Sequence, residues 1–142
     1  MLKANFITAQ EAAEKIQDGS TLCTIGMTLV SASESILKAI EKRFETVGHP
    51  ADITLVHSCG QSDRKDGIQH LAHEGLVKRI VGSHWGLQPR WMEMIANSQV
   101  EAYCLPQGQI AQLYRSMACG LPGKMSKVGL GTFIDPRVEG GR

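Results

Sequence analysis

The sequence predicts an α/β fold, an open and mostly parallel sheet with flanking helices. Two observations carry that expectation. Short β-branched apolar runs alternate along the chain with stretches of helical period, the order that parallel strands joined by right-handed crossovers require. Cap and breaker residues bound several of these stretches, so whole elements alternate rather than stray residues.

The elements follow in order. Thr8-Ala-Gln-Glu11 is a capping box, and Ala12, Ala13 and Ile16 continue it as an apolar stripe, predicting a helix to Gln17. Asp18-Gly19 ends that helix, and Thr21 to Ile25 reads as a short strand. A second box, Ser31-Ala-Ser-Glu34, predicts a helix carrying Ile36, Leu37 and Ile40 as far as Phe44, with Gly48-His-Pro50 as its breaker. Strands are expected at Asp52–His57, Lys78–Gly82 and Val100–Leu105. Helices are expected at Pro89–Asn97, with proline in the first turn, and at Gln107–Ala118, with Ile110, Leu113 and Met117 on one face. Ser58 to Gln69 is polar and glycine-containing and reads as a long functional or flexible loop.

Length and composition bound the rest. A chain of 142 residues fits a single α/β domain, 1–142, which buries roughly two-thirds of the surface its unfolded form exposes. At 42% hydrophobic and 20% charged, with net charge +1, it lacks the basic stripe of a nucleic-acid partner. No apolar run approaches the roughly eighteen residues of a membrane span, and no secretory leader is evident, so a cytoplasmic location is expected. Cys23, Cys59, Cys104 and Cys119 include no C-x-x-C pair; Cys23 and Cys104 lie in apolar runs and read as small core residues.

In open α/β sheets ligands gather beyond the carboxyl ends of the strands. Three junctions are candidates there. At the first, Gly26 and Met27 lie between a strand and a helix start, where glycine admits close backbone approach and helix-end amides favour an anion; a plain tight turn explains the same glycine. At the second, Gly82 and Gly86 bracket His84 and Trp85, either a ligand-contacting loop or ordinary packing. At the third, Gln107 and Gly108 open a helix after a strand, where the amide can point into the cleft or merely start the helix. His70-Leu-Ala-His-Glu74, if helical, would place His70, His73 and Glu74 on one face at metal-ligand spacing, though it is not the H-E-x-x-H pattern; no metal site is expected. Asp63 to Asp66 reads as a solvated mixed-charge loop. The last fourteen residues, from Gly129 and Gly131 to Arg142, are dense in glycine and carry no helical or strand period, as backbone shaped around a ligand would be.

That terminal run, Gly129-Leu-Gly-Thr-Phe-Ile-Asp-Pro-Arg137, resembles a signature of family I CoA-transferases of the acetate/propionate type. Asp52–Gly60, His70–Gly86 and Leu105–Arg115 resemble the same family. The resemblance implies a fold of the NagB/RpiA/CoA-transferase kind, of which this chain looks like most of the first half. It implies ping-pong transfer of CoA between short carboxylic acids through a glutamyl-CoA thioester, with acyl-CoA as substrate and no permanently bound cofactor.

Gly26 matches a glycine of the family's oxyanion segment and Glu34 its glutamate, whereas Ile25, Met27, Ser31 and Ser33 depart from that segment. The resemblance makes the Gly26 and Met27 amides oxyanion donors, gives Gln107 the positioning of the thioester, and treats the His-x-x-His-Glu stretch as ordinary. None of Glu34, Glu74, Glu101 or Glu139 matches the nucleophile's motif, so the chain alone is expected to be inactive and to act as a homo-oligomer or beside a complementing second half. A sugar-phosphate isomerase or effector module on this fold would need a phosphate cradle, and no G-x-x-x-x-G-K or basic cluster is present.

Overall fold

The computed structural model describes residues 4–142. Four parallel strands, β1 (Thr21–Thr24), β2 (Ile53–His57), β3 (Val77–Gly82) and β4 (Glu101–Cys104), stand side by side in chain order. The helices are α1 (Ala9–Glu14), α2 (Glu34–Val47), α3 (Pro89–Ala96) and α4 (Gln107–Ala118), and a 3-10 turn spans Gly67–Leu71. This is the open parallel α/β sheet with flanking helices that the sequence predicts.

Local chemistry explains most boundaries. The Thr8 side chain accepts from the Glu11 N–H while the Glu11 carboxylate accepts from the Thr8 N–H, so the first capping box forms. The Arg43 guanidinium then donates to the Ala13 and Ile16 carbonyls at 2.7 and 2.8 Å. These tertiary bonds satisfy the carbonyls that an extra turn would have used, and α1 ends at Glu14 rather than Gln17.

The second capping box does not form. Ser33 precedes α2 without a side-chain cap bond, and Ser31 takes a left-handed conformation with φ 62°. Glu34 is drawn away to accept from the Gly67 N–H at 2.9 Å. At its far end α2 runs on to Val47 and stops at left-handed Gly48, whose N–H donates to the Phe44 carbonyl.

Consecutive parallel pairing with right-handed crossovers puts every connecting segment on the same face of the sheet. The core lies there. The row Leu22–Leu55–Ile80–Ala102 crosses the sheet in register and meets Leu37 and Ile40 of α2, Ile68 and Leu71 of the 3-10 turn, and Trp91 of α3. The Trp91 indole N–H is satisfied inside that core by the Ile68 carbonyl at 2.9 Å. A bulge between Ile53 and Thr54, opposite Lys78, resets the alternation of β3, which is why Lys78 and Arg79 are both exposed while Val77 and Ile80 are both buried.

The adjacent row, Cys23–Val56–Val81–Tyr103, points to the opposite face. Cys23 is therefore exposed and not the core residue its apolar neighbours suggest; Cys104 is half-buried. Helix α4 lies over part of this second face, with Ile110 fully buried and the Tyr114 hydroxyl beside Cys23 and Ser58. Beyond α4 the chain is irregular and returns to the outer edge of β4, where Cys104 N–H donates to the Gly141 carbonyl at 2.6 Å.

Candidate functional site at the carboxyl edge of the sheet

The expected site residues fall along the carboxyl edge in strand order: Gly26 and Met27 after β1, His84 and Gly86 after β3, Gln107 and Gly108 after β4. The β1 and β4 groups are three strand spacings apart, roughly 14 Å, so the structure sets them in a row rather than in contact.

The turn after β1 is tightly shaped. Met27 and Val30 form an isolated antiparallel bridge, with Met27 N–H donating to the Val30 carbonyl at 3.1 Å and Val30 N–H returning to Met27 at 2.9 Å. The Met27 amide is thus engaged, which corrects the expectation of two free donors. The Gly26 N–H has no acceptor among the described residues. Gly26 has φ 141°, and a β-carbon there would stand 3.0 Å from the Val30 carbonyl oxygen, so only glycine fits. Thr28 and Ser31 sit at φ 52° and 62°, a cost that this backbone carries in two non-glycine residues.

The neighbouring loops hold that turn from below. Thr28 N–H donates to the Gly60 carbonyl at 2.8 Å. His57, at the end of β2, is fully buried against Gly82, where a β-carbon would lie 2.3 Å from Nε2. Its Nδ1–H donates to the Cys59 carbonyl at 2.6 Å. Burial holds its pKa down to about 4, despite that carbonyl, and the nearby His84 adds to the depression, so His57 is a neutral structural brace at pH 7. The His84 ring fits between two glycines, with β-carbons on Gly60 and Gly86 falling 2.8 and 2.7 Å from its carbons. Gly82, Gly86 and Gly60 are therefore spacers for two imidazoles.

Ser58 to Gln69 proves well packed rather than flexible. Gln61, Ser62 and Gln69 are buried, while Asp63, Arg64 and Lys65 remain exposed. The Gln61 side chain donates to the Thr24 carbonyl at 2.9 Å. Gln88, fully buried, accepts from the Gln61 N–H at 3.0 Å and donates to the His84 carbonyl at 2.9 Å. Sequence reasoning missed His57, Gln61 and Gln88; the signals were Gly60 and Gly82, which leave room for large neighbours, and a glutamine directly before Pro89.

At the β4 end, Gln107 and Gly108 are exposed in the first turn of α4. The terminal signature is organised by Asp135, a buried carboxylate. The Arg137 guanidinium, followed by the Gly131 and Arg137 backbone N–H groups, holds it well below the usual carboxylate range. Gly129 and Gly131 take φ 93° and 76° around it. Val128 and Ile134 of this stretch line a hollow with Leu105 and Pro106, so the signature packs at the β4–α4 junction. A larger hollow, about 490 Å³, lies beside β4 between Trp85, Ile95, Val100 and Phe133, and reaches none of the expected donors.

The His-x-x-His-Glu stretch is not a helix face: the 3-10 turn ends at Leu71, before His73. His70 instead donates from Nδ1 to Glu41 and from Nε2 to Glu34 at 2.8 Å, and His73 Nε2 meets Glu41 at 2.9 Å. Burial opposes charge on His70, but the Glu41 and Glu34 carboxylates outweigh it and raise its pKa above the ordinary value. Glu34, Asp66 and His70 bring ligand atoms close enough for a cation. Lys38 Nζ stands 3.1 and 3.4 Å from Glu34 and Asp66 and supplies the positive charge itself.

Residues 6–141 match the family described as Coenzyme A transferase. The caffeate CoA-transferase of Acetobacterium woodii is 41% identical over 140 residues, covering 98% of this chain and 27% of that protein. The acetate CoA-transferase YdiF of Escherichia coli K12 is 37% identical, covering 96% of this chain and 26% of its own length. A crystal structure of the E. coli O157:H7 acyl-CoA transferase YdiF, as a thioester complex with CoA, superposes with a TM-score of 0.88 at 36% identity, over 95% of this chain and 28% of that one. The chain thus spans about a quarter of the length of these relatives.

Proposed function

We propose that this chain, which belongs to the coenzyme A transferase family, forms part of an enzyme that moves CoA between short-chain carboxylic acids. The observation that carries the reading is the turn after β1. It holds a backbone donor without an acceptor among the described residues, the Gly26 N–H, at the carboxyl edge of the sheet, in a conformation that only glycine tolerates. Such a fixed donor suits a carbonyl oxygen that gains negative charge, and losing one typically costs about 10²–10³ in rate.

In the proposed reaction a glutamate carboxylate attacks the thioester carbonyl of an acyl-CoA and expels CoA thiolate, leaving an acyl–glutamyl anhydride. The thiolate attacks the glutamyl carbonyl and releases the acid, forming glutamyl-CoA. An acceptor carboxylate then enters by the reverse route. CoA thioester is substrate here rather than a resident cofactor. Gln107 and Gly108 would orient the acyl group from the β4 side, and the His84 loop, with Gly82, Gly86, Gly129 and Gly131, would shape the intervening surface.

The nucleophile lies outside these residues in this reading. Glu34 and Glu41 are committed to His70, Glu101 to Arg79 and Tyr103, Glu11 to its cap, and Glu74 to Gln99. A complementing second half would supply the glutamate, and it or another copy would cover the sheet face that carries Cys23 and Arg79. The working location is the cytoplasm; no helix among the described residues is long and apolar enough to cross a membrane.

The test is exchange of CoA between acetyl-CoA and labelled propionate, with folding verified by circular dichroism. The folded chain alone should transfer nothing measurable, and activity should appear on adding a chain that carries the remainder of a relative. Transfer by the isolated chain at enzymatic rates would overturn the assignment of the nucleophile elsewhere.

A further inference from the structure

Two buried glutamines sit beneath the turn that carries the Gly26 amide, and nothing in the proposed chemistry uses them. Gln61 and Gln88 are 1% and 0% exposed. Gln61 spends both polar groups of its backbone and one of its side chain on three different segments of the chain. Its carbonyl accepts from Ile68 N–H at 2.9 Å, its N–H donates to Gln88, and its Nε2 donates to the Thr24 carbonyl at 2.9 Å. Gly60, the preceding residue, accepts from Thr28 N–H at 2.8 Å. The segment Gly60-Gln61 therefore grips the turn on both sides of Gly26, two residues before it and two after it.

That grip sits where the backbone is under most strain. Between the two contacts lies Gly26 at φ 141°; Thr28, the second contact, sits at φ 52°, and Ser31 follows at φ 62°. Conformations of this kind persist only where surrounding structure over-determines them. The turn's own contribution is the narrow bridge between Met27 and Val30, with local bonds from Ala32 N–H to the Leu29 carbonyl and from the Thr28 hydroxyl to the Met27 carbonyl. Gln88, anchored to the His84 carbonyl, ties the same junction to the loop after β3.

We propose that Gln61, seated by Gln88, is a positioning residue that presets the Gly26 amide toward the acyl oxygen of the substrate. This role rests on the proposed function, because it gives the preset amide its purpose. The glutamine acts through the turn and does not touch substrate.

Amide hydrogen exchange and ¹⁵N chemical shifts on the full chain test it, with acetyl-CoA as the probe. Gln61→Met keeps the side-chain length and removes the bond to Thr24. Gln69→Met is the matched control: Gln69 is equally buried but its side chain donates to the Arg64 carbonyl, outside the turn. Gln61→Met should speed exchange of the Thr28 amide about tenfold and abolish the shift of the Gly26 amide on adding acetyl-CoA. Gln69→Met should leave both near the unaltered chain. Should Gln61→Met fail to fold, Gln88→Met removes the backbone anchor of Gln61 together with the bond to the His84 carbonyl, leaves the Gln61 bond to Thr24, and should move the same two signals in the same direction. Unchanged Thr28 exchange in Gln61→Met, or equal effects in Gln61→Met and Gln69→Met, would overturn the role of Gln61. Absence of any Gly26 response in the unaltered chain would instead sink the donor role of Gly26, while the effect on Thr28 exchange would still report the grip itself.

Discussion

Replacing Gly67 by alanine should be among the most damaging single-methyl additions to this chain. Two costs combine. Gly67 has φ 76°, where an L-residue is disfavoured by about 1–2 kcal/mol. The new methyl would also fall 2.1 Å from the Gln61 carbonyl oxygen, which is fixed backbone accepting from Ile68 N–H. Forcing a methyl into such a site typically costs a further 1–3 kcal/mol or so. The sum, about 2–5 kcal/mol, is a large part of the roughly 5–15 kcal/mol a small domain has. Gly19→Ala isolates the first cost, since φ is 70° there and no atom lies within 4 Å of the added carbon. With a urea slope of about 1.5 kcal/mol per M, Gly19→Ala should lower the unfolding midpoint by about 1 M and Gly67→Ala by about 1–3 M. Equal shifts for the two variants, followed by circular dichroism, would refute the claim that the 60–68 loop is packed tightly enough to resist a methyl group.

Further outcomes follow from the core and the charged groups. Trp91→Ala should cost about 3–5 kcal/mol, because it leaves a cavity at the centre of the core and removes the indole bond to the Ile68 carbonyl; a loss below about 1 kcal/mol in urea unfolding would contradict that placement. Stability should fall on both sides of neutrality by different histidines. The folded pKa of His57 is depressed to about 4, so its contribution is complete above the unfolded value near 6.5 and is lost as pH falls toward 4, by about 3 kcal/mol in all. The folded pKa of His70 is raised, so its contribution is complete below about 6.5 and is lost as pH rises through the folded value. His57→Leu should flatten the profile between pH 4.5 and 6.5, and His70→Gln should flatten the alkaline limb; midpoints measured across pH check both. Asp135→Asn should accelerate exchange of the Gly131 amide, which donates to that carboxylate, and leave exchange in β2 unaltered.

The sequence made some elements legible and hid others for definite reasons. Helix α4 was readable from Gln107 to Ala118 because proline, period and strand end agree locally. The Thr8–Glu11 box was readable because both of its bonds are local. The Ser31–Glu34 box has the same pattern, yet its glutamate is captured by Gly67, Lys38 and His70, partners 4 to 36 residues away. Cys23 misled because an apolar neighbourhood in sequence says nothing about which sheet face lies open. The 58–69 loop misled because its polar side chains bond to backbone groups, so composition suited to solvent is partly buried instead. Of the site, Gly26 was readable from its place after a strand. That the Met27 amide is already taken was not, since it depends on Val30 folding back.

The strand order has a consequence for how the protein is made. Each strand pairs with the one synthesised immediately before it, β1 with β2, β2 with β3 and β3 with β4. A chain leaving the ribosome at about 5–20 residues per second thus always finds its next partner already present. No strand waits for a distant segment to arrive before its hydrogen bonds can close, and sequence separation between paired strands stays short, which favours rapid folding. The sheet can be laid down vectorially, like courses of brick, with its newest strand as the growing margin.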